Sequence, residues 1–231
     1  MDIYIDSADI SQWALPAGCP PVVGVTTNPT LVFQAGLPVN LASYERLVQA
    51  AAAAGMAHIM VQLPSNNIVA AHNWVHQLQS VASREGIRLT IKLPCHPSWT
   101  ECIHAVKAMQ QSVLLTGLSN AVQLLWAQAL QADFVAPYVG RLAADSSQGG
   151  RDVWALMRAC VAAQQSPGPH AGPQLLAASI KSPDVLSHLM GLGAAAVTLP
   201  PASLIAWSQD AVTDAAMAQF DRDIAASQSL G

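Results

Sequence analysis

The chain has 231 residues, a formal net charge of −4 and no basic run, so nucleic-acid binding has no electrostatic footprint to rest on. Hydrophobic residues make up 52% and charged residues only 10%, which points to a deeply buried sheet, an oligomer interface, or both. Pro, Gly, Gln and His interrupt every apolar run before it reaches membrane-spanning length, which excludes a helical membrane protein. The start, Met1-Asp2-Ile3-Tyr4-Ile5-Asp6, is acidic and lacks the basic region of a signal peptide. Cys19, Cys95, Cys102 and Cys160 lie scattered, without metal or disulfide-framework spacing. The expectation is a cytoplasmic protein with reduced thiols and no metal or other cofactor.

In chain order, short apolar runs at 2–6, 22–26, 58–63, 88–93, 112–117, 132–137, 174–179 and 194–199 read as strands. Helical stretches such as 41–54, 66–85, 98–111 and 119–131 separate them. Strand-then-helix repetition implies parallel strands joined by right-handed crossovers, and eight repeats imply one closed (β/α)₈ barrel, a TIM barrel, over 1–231. No Gly-rich fingerprint follows the first strand, which weakens a dinucleotide-binding alternative. After the eighth strand a further helix is expected at about 211–226.

The two-residue period of a strand then sorts the side chains. In 88–93 the apolar set Leu89, Ile91, Leu93 faces the helices, so Lys92 points into the barrel. Ile3 and Ile5 face out while Tyr4 and Asp6 face in; Met60 and Gln62 face in; the same count turns Thr26, Thr116 and Ser179 inward. Active sites of such barrels sit at the C-terminal ends of the strands, so Asp6, Thr26, Gln62, Lys92, Thr116 and Ser179 are expected to ring one mouth.

Of three lysines, Lys92, Lys107 and Lys181, only Lys92 falls on an inward strand face. An amine placed there loses water and must gain partners. On the strand pattern alone, a buried ion pair with Asp6 and a Schiff-base nucleophile are both open. The second requires the amine to be partly neutral, with its pKa brought from about 10.4 towards roughly 7–8 by desolvation.

Six motifs then occur in order along nearly the whole chain. They are Tyr4-Ile5-Asp6, Gly24-Val25-Thr26-Thr27-Asn28-Pro29-Thr30-Leu31, Ile91-Lys92-Leu93-Pro94, Ala136-Pro137-Tyr138-Val139-Gly140-Arg141, Leu176-Ala177-Ala178-Ser179-Ile180-Lys181 and Val197-Thr198-Leu199-Pro200. Together they resemble the transaldolase family, in which the fourth-strand lysine forms the Schiff base. In its transaldolases proper, the third strand carries a glutamate and the sixth-strand motif a Phe; in the shorter fructose-6-phosphate aldolase-like members these are Gln and Tyr. Gln62 and Tyr138 stand at those positions, so the resemblance favours the aldolase, with transaldolase as the alternative.

The resemblance implies roles. Tyr138 is the acid/base, directly or through a water held by Gln62 and Thr116. Asp6 and Asn28 bond the hydroxyls of the three-carbon unit, though Asn28 also suits a turn before Pro29. Thr26 is a further substrate-binding residue, Ala136 helps shape the donor pocket, and Arg141, Ser179 and Lys181 hold the phosphate. A surface ion pair with Asp145 is the rival reading of Arg141. The chain departs from the family at Cys95-His96-Pro97-Ser98-Trp99-Thr100-Glu101-Cys102, around Gly117-Leu118-Ser119-Asn120, at Met60 in place of an aromatic residue, and at Gly140, which is often Asn. Those changes surround the donor and acceptor pockets and leave a third reading, a sugar-phosphate-binding barrel without catalysis. His72 and His76 have the spacing of a zinc pair but lack a third ligand.

The resemblance also implies a homo-oligomer, with a decamer among the assemblies, in which the C-terminal helix reaches a neighbour. Val212, Ala215, Ala216, Phe220 and Ile224 recur there at near-helical spacing. The alternative is that the helix caps its own barrel.

Overall fold

The computed structural model describes residues 1–146, 152–166 and 172–228. Eight parallel strands close into one barrel in sequence order: β1 (Asp2–Asp6), β2 (Gly24–Thr26), β3 (His58–Gln62), β4 (Arg88–Pro94), β5 (Ser112–Thr116), β6 (Phe134–Ala136), β7 (Gln174–Ala177) and β8 (Ala196–Leu199). Outside them run α1 (Pro29–Gln34), α2 (Leu41–Ala53), α3 (Ile68–Glu85), α4 (Thr100–Ala108), α5 (Ala121–Ala129), α6 (Val139–Ser146), α7 (Val153–Gln164), α8 (Pro183–Leu192), α9 (Pro201–Trp207) and α10 (Ala211–Gln228). This is the (β/α)₈ barrel expected from the repeat, and no helix among the described residues is long and apolar enough to cross a membrane.

Alternation along the strands makes two apolar layers. Ile5, Val25, Ile59, Val61, Ile91, Leu93, Val113, Leu115, Val135, Leu175 and Val197 meet the helices in the larger one. Tyr4, Met60, Leu114, Ala136, Leu176 and Ala196 fill the barrel interior in the smaller one. The interior is a packed core, so the polar residues above it form the floor of a cup.

Several strand ends differ from the sequence reading, for local reasons. β6 starts at Phe134 because Ala132 still donates its N–H to Ala127 O at the end of α5 (3.0 Å), and it stops before Pro137, which has no N–H to give. Helix starts are set by caps: Asn28, Asn67 and Asn120 each accept a backbone N–H of the first turn, from Leu31, Ala70 and Gln123. The count that puts Ser179 on the inward face of β7 has the wrong phase, although Ser179 does reach the mouth of the barrel. β7 ends at Ala177 with Leu176 facing in, so strict alternation would have turned Ser179 outward. Ser179 instead leaves the strand in a left-handed conformation (φ 59°).

Beneath the apolar interior a polar chain crosses four strands. Tyr4 Oη lies 3.0 Å from His58 Nδ1, His58 Nε2 lies 2.8 Å from Thr90 Oγ1, and Thr90 donates to Ser112 Oγ at 2.9 Å. One proton arrangement satisfies all of it: Tyr4 donates to Nδ1 and neutral His58 donates from Nε2. A second ring proton would leave the Tyr4 hydroxyl facing a donor. Burial first, and the Arg88 charge second, push the His58 pKa from 6.5 down to about 4. Because the folded value lies below the unfolded one, the unfolded chain takes up the extra proton between those pH values, and stability falls as pH drops through them. Urea unfolding should therefore show a loss of about 2 kcal/mol between pH 7 and pH 5 that His58→Gln largely removes. The same pH dependence in both proteins would show that His58 is not its source.

Candidate active site

At the C-terminal ends of the strands lies a cavity of about 810 Å³. Asp6, Asn28, Gln62, Lys92, Thr116, Ala136, Tyr138, Arg141, Ser179 and Lys181 all line it. Ten of the eleven residues singled out in the sequence thus converge, though they come from seven βα units. The eleventh, Thr26, does not reach the cavity wall. It is fully buried, and its hydroxyl donates to Asp6 Oδ1 (2.8 Å) and lies 2.6 Å from Thr198 Oγ1. Thr198 does line the cavity and was not singled out. The same two-residue count places it inward on β8, beside Ala196, so the signal was present.

Lys92 is paired in register with Gln62 on one side and Leu114 on the other, which fixes its amine in the cavity floor. It is 5% exposed. The ion pair with Asp6 does not form: the ion pairs among the described residues are Arg84–Glu85, Lys107–Asp133 and Arg158–Asp152. Asp6 accepts instead from Thr26. Burial lowers the Lys92 pKa below its ordinary value, and the Asp6 charge opposes this without reversing it. A desolvated amine with a lowered pKa is what a nucleophilic lysine needs at neutral pH.

Across the floor, Thr116 Oγ1 donates to Tyr138 Oη at 3.0 Å, so the phenol's own proton remains available to a group in the cavity. The Arg141 guanidinium lies 4.7 Å from the centre of the Tyr138 ring, a cation–π contact, and no ion pair joins it to Asp145. Gly117 supplies a left-handed turn (φ 81°) after β5, and a Cβ there would make only ordinary contact with the Tyr138 ring (3.8 Å). Asn28 does two things at once: its Oδ1 caps α1 (3.0 Å to Leu31 N) while the residue lines the cavity.

The unusual segments after β4 and β5 are tied together by one side chain. Gln123 donates to Cys95 O (2.9 Å) and accepts from Ser119 N (2.7 Å) and Ser119 Oγ (3.1 Å). The loops after β4 and β5 are thus joined to each other, and none of Cys95, Ser119 and Gln123 is among the residues that line the cavity. Among the described residues no group of three His, Cys, Asp or Glu side chains converges as a metal site would require.

A closed eight-stranded barrel with a polar cup at its C-terminal strand ends, holding a desolvated and unpaired lysine, has the architecture of a (β/α)₈-barrel enzyme. The model of the transaldolase/fructose-6-phosphate aldolase family matches residues 3–230, and the chain belongs to that family. It is an enzyme of the aldolase/transaldolase type, acting on sugar phosphates. Similar proteins include probable transaldolases of Cereibacter sphaeroides, 26% identical over 96% of this chain and 95% of the relative, and of Brucella ovis, 27% identical over 96% of both. Another, from Dehalococcoides mccartyi, is 27% identical over 96% of this chain and 97% of its own. Among solved structures, a citrate synthase variant (14% identity, TM-score 0.55, 100% of this chain and 95% of the other) and a flavocytochrome b2 variant (12%, 0.58, 90% and 59%) share the fold alone.

Proposed function

We propose that the protein is a class I aldolase that reversibly cleaves a ketose phosphate such as fructose 6-phosphate into dihydroxyacetone and glyceraldehyde 3-phosphate. The observation that carries this reading is the buried Lys92 amine, paired in register with Gln62 of β3 rather than with a carboxylate, in one cavity with the Thr116–Tyr138 pair. The neutral amine attacks the C2 carbonyl, and Tyr138 gives its phenol proton to the departing hydroxyl, so loss of water leaves an iminium and a phenolate. The Tyr138 phenolate then takes the C4 hydroxyl proton, directly or through a water held by Gln62 and Thr116. The C3–C4 bond breaks, its electrons move into the iminium to form an enamine, and the aldehyde departs. Protonation at C3 and hydrolysis then free dihydroxyacetone and Lys92. Asp6, held by Thr26, and Asn28 bond the donor hydroxyls; Ala136 leaves room for them; Arg141, Ser179 and Lys181 hold the phosphate.

Transaldolase activity is the second reading, favoured by the names of the similar proteins. Incubation with fructose 6-phosphate alone separates the two: the aldolase accumulates free dihydroxyacetone, whereas a transaldolase turns over substantially only when erythrose 4-phosphate is added.

We further propose a cytoplasmic homo-oligomer. Helix α10 buries none of its side chains against its own barrel, which disfavours a capping role. Val212, Met217, Phe220 and Ile224 are each more than half exposed, an apolar set suited to a neighbouring copy. Light scattering at micromolar concentration should give several times 24.2 kDa; a clean monomer would remove the oligomer and leave the single-chain site intact.

A further inference from the structure

Gly140 is the second residue of α6, between the Tyr138 turn and Arg141. A Cβ at this position would sit 2.2 Å from the Ser179 carbonyl oxygen, 2.8 Å from Lys181 Cγ and 3.3 Å from Ser179 Oγ. The first of these is a backbone atom that cannot swing aside. The two segments are moreover latched: Val139 N–H donates to Ala178 O (2.9 Å) and Gly140 N–H to Ser179 O (3.0 Å). Ser179 already holds a left-handed φ of 59°, so the loop after β7 has little freedom to retreat.

We infer that Gly140 is a positioning residue that determines specificity for phosphorylated substrates. Its missing side chain lets the loop after β7 close onto the start of α6, and that closure places Ser179 and Lys181 at the same end of the cavity as Arg141. The inference rests on the proposed phosphate role of those three residues. A methyl group at 140 has to displace the Ser179 backbone by about 1 Å, a misplacement on the scale that can cost about 10²-fold at a reacting site. The effect falls first on the phosphate end. Lys92 is carried by β4, and the Tyr138 hydroxyl is held from the far side by Thr116.

The test is Gly140→Ala, assayed in the aldol direction with dihydroxyacetone and either glyceraldehyde 3-phosphate or glyceraldehyde. The KM for the phosphorylated aldehyde should rise about tenfold to a hundredfold with kcat changed much less, while the KM for glyceraldehyde moves by less than about threefold. Gly191→Ala, where a Cβ meets nothing within 4 Å, is the control and should alter neither. Borohydride trapping of dihydroxyacetone on Lys92 reports whether the barrel is intact. An unchanged ratio of the two KM values overturns the inference. Loss of trapping in Gly140→Ala also overturns it, reducing Gly140 to a requirement of folding. A wild type with no preference for the phosphorylated aldehyde defeats the phosphate reading itself, and the inference with it.

Discussion

Lys92→Met is expected to abolish turnover, by on the order of 10⁴-fold or more, because no other amine lies on the cavity floor to form the covalent intermediate. Lys181 lines the same cavity but enters from the loop beyond β7, at the phosphate end. The same substitution should raise the melting temperature. Lys92 has a lowered pKa in the folded protein, so below the unfolded value of 10.5 the unfolded chain binds the proton more readily and the native state is penalised. Met fills nearly the same volume without that penalty, and Lys92 has no described partner to be left unsatisfied. Lost activity with gained stability is the pattern of a strained functional group; a structural ion pair would lose both. Steady-state kinetics together with thermal unfolding of the two proteins checks the pair of outcomes, and a variant that is active or less stable would contradict it.

Tyr138→Phe should lower aldol turnover about 10²–10⁴-fold, the usual contribution of positioned proton transfer, while ketose binding changes little. The ring that stacks under Arg141 is kept, so the phosphate end should be undisturbed. Thr116 loses its acceptor but faces a cavity that water can enter. Gln62 cannot replace the phenol, since an amide does not take up a proton at neutral pH. Near-normal turnover in Tyr138→Phe would move the proton transfer elsewhere, with Asp6 as the next group to test.

Much of this was legible because a barrel strand reports its two faces through a two-residue period. Lys92, Gln62 and Thr116 needed only that count, and Leu89, Ile91 and Leu93 anchored it. Ser179 shows where the count runs out: its position follows from a left-handed backbone and a close approach to Gly140, which no periodicity encodes. Thr26 was read as a substrate ligand because it points inward, yet inward at its level means under the cup, where it bonds Asp6 and Thr198. Depth within the barrel depends on strand stagger, which only the register supplies. Asn28 was open between cap and ligand, and its geometry serves the cap while leaving it on the cavity wall. The segments around Cys95 and Ser119 looked like erosion of the site. Gln123 joins them across 28 and 4 residues of sequence, a contact invisible until the helix that carries it is placed.

The proposed chemistry requires a covalent bond to one amine, that of Lys92. The direct measurement is peptide mapping by mass spectrometry after the wild-type protein is treated with borohydride and dihydroxyacetone. A single reduced adduct is expected on the peptide containing Lys92, absent without the ketone and absent from Lys92→Met. An adduct on Lys181 or Lys107 in its place, or no adduct with dihydroxyacetone or fructose 6-phosphate, would contradict it.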